Sequence, residues 1–106
     1  NVYAADIEVL LLKHPDVKEA AAIGVPDPTR GHVVKAFVVS PRPGDEAFVR
    51  ELQEHVRQRL SAHEYPRQVA FVAELPKTPA GKVNRKVLRE REQANRTATA
   101  AATAAH

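Results

Sequence analysis

Residues 17–40, VKEAAAIGVPDPTRGHVVKAFVVS, decide the fold. The apolar run from Ala20 to Val25 suits a buried strand, and Pro26 and Pro28 stop it. Arg30-Gly31 then turns the chain into HVVKAFVVS, residues 32–40, a second strand rich in β-branched side chains. Two strands joined by so short a turn form an antiparallel pair.

Working outward, Ile7, Leu10 and Leu11 stand at i, i+3, i+4 spacing within residues 4–13 and mark one face of a helix. His14-Pro15 ends it, because the residue before a proline is pushed out of the helical region. On the other side PRPGDE, residues 41–46, is a loop. Residues 46–60 predict a helix with Phe48, Leu52, Val56 and Leu60 four apart and Val49 beside them. Its opposite positions, Arg50, Glu51, Glu54, Arg57 and Gln58, are polar, so one face is wet. After the connector HEYPR, residues 63–67, the segment QVAFVAE alternates briefly and predicts a third strand. The loop LPKTPAGKV, residues 75–83, leads to a short helix from about Asn84, a good N-cap. Val83, Val87 and Leu88 anchor one side of that helix. The order predicts an α+β fold, a small three-stranded sheet covered by helices. It should occupy residues 1–93. The Ala/Thr-rich tail, residues 94–106, has neither a large apolar residue nor periodicity and is expected to be disordered.

Composition limits what such a fold can do. A chain of 106 residues supports one modest core. With three Phe, two Tyr and no Trp, that core is mostly Val, Leu, Ile and Ala. The lack of cysteine excludes a disulfide scaffold, a thiolate metal site and a Cys nucleophile, and fits a reducing, cytoplasmic location. No apolar run approaches the roughly 20 residues of a membrane helix. The first residues, NVYAADIE, lack an initiator Met and a signal pattern, and read as a cut through something longer. The five His have no metal-ligand spacing, so no metal site is expected, and no Ser-centred elbow points to a hydrolase. A net charge of +3, spread among Glu residues and without a basic stripe interleaved with aromatics, argues against a nucleic-acid partner.

The segment PKTPAGK, residues 76–82, carries the chemistry. Pro76 and Pro79 fix φ and remove freedom from the loop. Gly81 permits a tight turn that a side chain would forbid. Lys82 follows at once, outside any apolar pattern. The loop is thus a stiff arm bearing one ammonium, suited to delivery into a site on another body. A solvated lysine on a proline-rich turn fits the same residues.

The longer segment LPKTPAGKVNRKVLR, residues 75–89, resembles the last signature of the adenylate-forming enzymes, which include acyl- and aryl-CoA synthetases and peptide-synthetase adenylation domains. NVYAADIE, HPDVKEAAAIGVPDPTRGHVVKAFVV, LQEHVRQRL and YPRQVAFVAELPKT agree with that family in order, from residue 1 to about 91. The resemblance implies the mobile C-terminal domain of an acyl-CoA synthetase, active only with its N-terminal adenylation domain. It implies ATP (with magnesium) and coenzyme A as ligands, AMP as product, and a place in fatty acid metabolism. A carboxylate attacks the α-phosphate of ATP, and coenzyme A thiol then displaces AMP. Lys82 matches the catalytic lysine of the first step. Arg30, Arg57, Tyr65 and Arg67 match positions that meet coenzyme A. Arg57 equally suits a solvated helix, Tyr65 a core, and Arg30 a turn. The P-x-x-x-x-G-K spacing from Pro76 to Lys82 resembles a lysine acetylation site, implying a protein acetyltransferase and deacetylase as partners. Glu64 departs from the family by replacing a common lysine, and Ala4 replaces a common proline. A peptide-synthetase adenylation subdomain, loading a carrier protein, is the alternative, and a small nucleic-acid-binding module is a more distant one.

Overall fold

The computed structural model describes residues 4–60 and 65–104, with side chains as far as residue 94. The elements run α1 (Ala4–Leu12), β1 (Glu19–Asp27), β2 (Gly31–Val39), α2 (Glu46–Arg57), β3 (Gln68–Phe71) and α3 (Arg85–Ala104). Among the described residues, three helices and an open three-stranded sheet make the α+β fold expected from the sequence. The chain divides into two compact units, one ending at Leu75 and the other starting at Pro76. Sequence patterning alone predicts a single body through residue 93.

In the first unit the sheet order is β1-β2-β3. β1 and β2 pair antiparallel, from Glu19 opposite Val39 to Asp27 opposite Gly31. The strand therefore continues through Pro26, which a central strand could not accommodate but an edge strand can. Asp27 Oδ2 accepts the N–H groups of Thr29 and Arg30 at 3.1 and 2.8 Å, and Gly31 takes φ +81°, so the reversal is built by an Asx turn and one glycine. β2 and β3 pair in parallel, with Ala36 opposite Val69 and Val38 opposite Phe71. Parallel neighbours need a crossover, and α2 supplies it.

The core follows the period-two alternation of the strands. Ala20, Ala22, Val34, Ala36 and Val38 share one face and pack with Ile7 and Leu11 of α1 and with Phe48, Leu52 and Val56 of α2. The small alanines let the helices sit close. Ala21, Ile23, Val25, Val33 and Phe37 alternate with them and are also buried. Asp45 caps α2, accepting the Phe48 N–H at 2.8 Å.

The second unit holds a hairpin and α3. Asn84 caps the helix as expected, its Oδ1 accepting the Val87 N–H at 3.2 Å. The helix is not short: it spans Arg85–Ala104, 20 residues. The reason is local. Alanine has the highest intrinsic helix propensity, so a segment with no apolar face can still favour helix.

Candidate functional site

Lys82 lies on a closed reversal rather than an open arm. Gly81 N–H donates to the Thr78 carbonyl at 2.9 Å, and Thr78 N–H donates to the Lys82 carbonyl at 2.7 Å. With Gly81 at φ +84°, this is the pattern of a β-turn followed by one left-handed residue, the usual three-residue hairpin. Pro79 sits where such a turn favours a fixed negative φ, and Gly81 where an L side chain would be strained. Lys77 and Val83 form an antiparallel bridge below the turn, and Asn84 N–H donates to the Pro76 carbonyl at 2.8 Å. The Thr78 hydroxyl adds a bond from the Lys82 N–H at 3.3 Å. The backbone of Lys82 is thus held on both sides, while its side chain is exposed. Among the described residues, none pairs with its ammonium.

The four other sequence-derived site residues all fall at one end of the first unit's sheet. Arg30 is in the β1–β2 turn and exposed. β3 begins beside β2, with Gln68 opposite Lys35, so its preceding residues Tyr65 and Arg67 lie at that same end. Arg67 N–H donates to the Val34 carbonyl at 3.1 Å, which fixes the position. Arg57 closes α2, whose C-terminus feeds this connector, and pairs with Glu54 at 3.6 Å. Gln53 Nε2 donates to the Pro66 and Arg67 carbonyls at 3.0 and 3.4 Å, tying the connector back to α2. The Arg67 guanidinium lies 4.2 Å from the Tyr65 ring centroid and donates to its hydroxyl. Tyr65 also packs against the core. His63 and Glu64, in the same connector, lie outside the described residues.

A family model, "AMP-binding enzyme C-terminal domain", matches residues 6–82. The chain belongs to that family. It is 50% identical over 91 residues to the human mitochondrial acyl-coenzyme A synthetase ACSM5, covering 82% of this chain and 16% of that protein. An acyl-CoA synthetase from Brucella canis is similar in structure, with a TM-score of 0.82 and 53% identity over 88% of this chain and 18% of that one. A benzoate CoA ligase from Burkholderia xenovorans gives a TM-score of 0.73 at 40% identity, over 81% of this chain and 18% of that one. The chain therefore spans about a sixth of the length of the relatives it matches. No helix among the described residues is long and apolar enough to cross a membrane.

This AMP-binding enzyme C-terminal domain also contains a polar cluster that sequence spacing did not reveal. His14, Asp16 and Glu51 bring possible ligand atoms within 4.8 Å of one another. Arg42 engages two of the three: it donates to Glu51 at 2.9 Å and to Asp16 at 3.2 Å, and its guanidinium covers the Phe48 ring at 4.1 Å. The hydrogen bond from Arg42, then that from His14, holds the Glu51 carboxyl below its ordinary range, and Glu51 in turn holds the Arg42 charge more firmly. These groups come from three separate segments, so the cluster reads as a clamp between loops. A second hidden contact is Glu8. Its carboxylate is buried and accepts the Ala22 N–H at 2.7 Å, on the outer edge of β1.

Proposed function

We propose that this chain is the C-terminal domain of an AMP-forming acid–CoA ligase, and that Lys82 is its catalytic residue for adenylation. The observation that carries the proposal is an exposed ammonium, unpaired among the described residues, on a backbone that its own hairpin holds rigid. A donor with no partner in its own unit is available to one elsewhere, and a rigid mount reduces the reorganisation needed to use it. The partner is a large N-terminal adenylation domain, which binds ATP and the acid. There the ammonium faces the carboxylate and the phosphate oxygens as charge moves from one to the other. Alone, the chain is inactive.

Coenzyme A is the second ligand. Arg30, Arg57, Tyr65 and Arg67 gather at one sheet end, with three guanidinium groups suited to nucleotide phosphates and one of them stacked on an aromatic ring. When bound, coenzyme A supplies the thiol that takes the acyl group. The arginines orient its nucleotide portion. Fatty acid metabolism and a cytoplasmic location are the setting we infer, the latter from the lack of cysteine. Acetylation of Lys82 would remove its charge and so stop adenylation. An acetyltransferase and a deacetylase would then switch the enzyme reversibly.

The test is Lys82→Ala in the full-length ligase that carries this domain, with the two half-reactions assayed apart. Acid-dependent exchange of pyrophosphate into ATP should fall by about two to three orders of magnitude. Thioester formation from preformed acyl-adenylate should change little. Equal loss in both, or none in the first, removes the proposed role.

A further inference from the structure

The hairpin that carries Lys82 denies one amide its ordinary acceptor. A hydrogen-bonded antiparallel pair exchanges two N–H···O bonds between residues directly opposite each other. Thr78 and Lys82 face each other across the turn in this way, but they exchange only one such bond. The Thr78 N–H donates to the Lys82 carbonyl at 2.7 Å. The Thr78 carbonyl, which would accept the Lys82 N–H in return, accepts the Gly81 N–H at 2.9 Å instead. The Thr78 hydroxyl fills the gap and takes the Lys82 N–H at 3.3 Å.

We propose that Thr78 is the positioning residue for Lys82, a role that rests on Lys82 being the catalytic residue for adenylation. Its hydroxyl sets the direction from which the ammonium reaches the reacting groups. The peptide unit between Gly81 and Lys82 follows the residue of the loop with the widest backbone freedom. The orientation of that unit fixes the Cα–Cβ direction of Lys82, and so the starting line of its side chain. Without the hydroxyl the Lys82 N–H turns to water, and the unit is released to rotate about the bonds that flank it. The lysine then approaches over a spread of directions, and fewer of them meet the developing charge.

The backbone bonds of the reversal do not replace this one. Those from Gly81 to Thr78, from Thr78 to Lys82 and from Asn84 to Pro76 all belong to neighbouring peptide units. They close the hairpin and hold its base, so the fold of the reversal survives loss of the hydroxyl. What changes is the last unit before the catalytic side chain. Valine has nearly the shape of threonine and the same branching at Cβ, so it suits the extended backbone before the turn equally well. The hydroxyl is the feature that separates the two.

The test compares Thr78→Val, Thr78→Ser and Lys82→Ala in the full-length ligase that carries this domain. In acid-dependent exchange of pyrophosphate into ATP, Thr78→Val should lower kcat about three- to tenfold, the effect of one neutral hydrogen bond, with KM for acid and ATP unchanged. Thr78→Ser restores the acceptor and should restore the rate. Thioester formation from preformed acyl-adenylate should change in neither variant. Combined with Lys82→Ala, Thr78→Val should cause no further loss, because it acts through that lysine. An undiminished rate in Thr78→Val, a serine variant as slow as the valine one, or the same loss in the Lys82→Ala background overturns the role of Thr78 alone. Exchange that survives Lys82→Ala refutes the reading of Lys82, and this proposal with it. Should Thr78→Val fail to fold, amide exchange of the parent chain by NMR decides. The Lys82 N–H should be protected, and exchange at the rate of an open chain overturns the proposal.

Discussion

Replacing Glu8 with alanine tests how the first helix is fixed to the sheet. Glu8 is 7% exposed and its carboxylate accepts the Ala22 N–H at 2.7 Å, and Ala22 itself is 1% exposed. A hydrogen bond to a charged group contributes about 1.5–3 kcal/mol, and leaving a buried N–H unpaired costs about 1–3 kcal/mol. These describe the same bond from two sides, so they do not add. A loss of about 2 kcal/mol is expected, which for a chain of this size lowers Tm by roughly 8–16 °C. Glu8→Gln keeps an acceptor oxygen and should lose about half as much. Urea unfolding followed by circular dichroism at neutral pH measures both. A Glu8→Ala loss under about 0.5 kcal/mol, the scatter of ordinary surface changes, would refute the reasoning.

Two further outcomes follow from local geometry and one from charge. A methyl group at Gly44 would run into the Phe71 ring, so Gly44→Ala should cost about 1–3 kcal/mol in the same urea assay through forced movement of that ring. Gly81→Ala meets nothing within 4 Å and bears only the backbone strain of φ +84°, about 1–2 kcal/mol, so its effect should appear as fraying of the hairpin in NMR rather than loss of the sheet. Because Arg42 holds the Glu51 carboxyl below its ordinary 4.5, the stability it gives is present above that pH and lost as pH falls through the lower folded value. Acid titration of unfolding should therefore be shallower in Glu51→Gln than in the parent chain.

The features legible in the sequence are those written into neighbouring residues. Residues 20–25 and 32–39 show strand composition, and Arg30-Gly31 shows the turn, so the antiparallel pair can be read directly; that Asp27 builds the turn is seen only in the structure. The spacing of Phe48, Leu52 and Val56 marks α2 in the same way. The third strand is legible too, but its parallel pairing is not. Four half-buried residues carry no directional signal, and the direction is set by where α2 delivers the chain. Glu8 is hidden inside an apolar helix pattern, and its partner is 14 positions away. His14 and Glu51 are 37 positions apart, a distance no spacing rule covers. The length of α3 escapes a reading that looks for an apolar face, because alanine needs none to be helical. At the site, the proline and glycine positions reveal a stiff mount for Lys82. That its carbonyl bonds back to Thr78, closing the mount, is visible only in three dimensions.

The hydrogen bonds that shape the Lys82 hairpin span no more than the separation of Pro76 and Asn84. Contacts so close along the chain need no distant strand to arrive first, and hairpins of this kind assemble in about 1–10 μs. The turn that carries Lys82 can therefore take shape before the strands of the sheet have met.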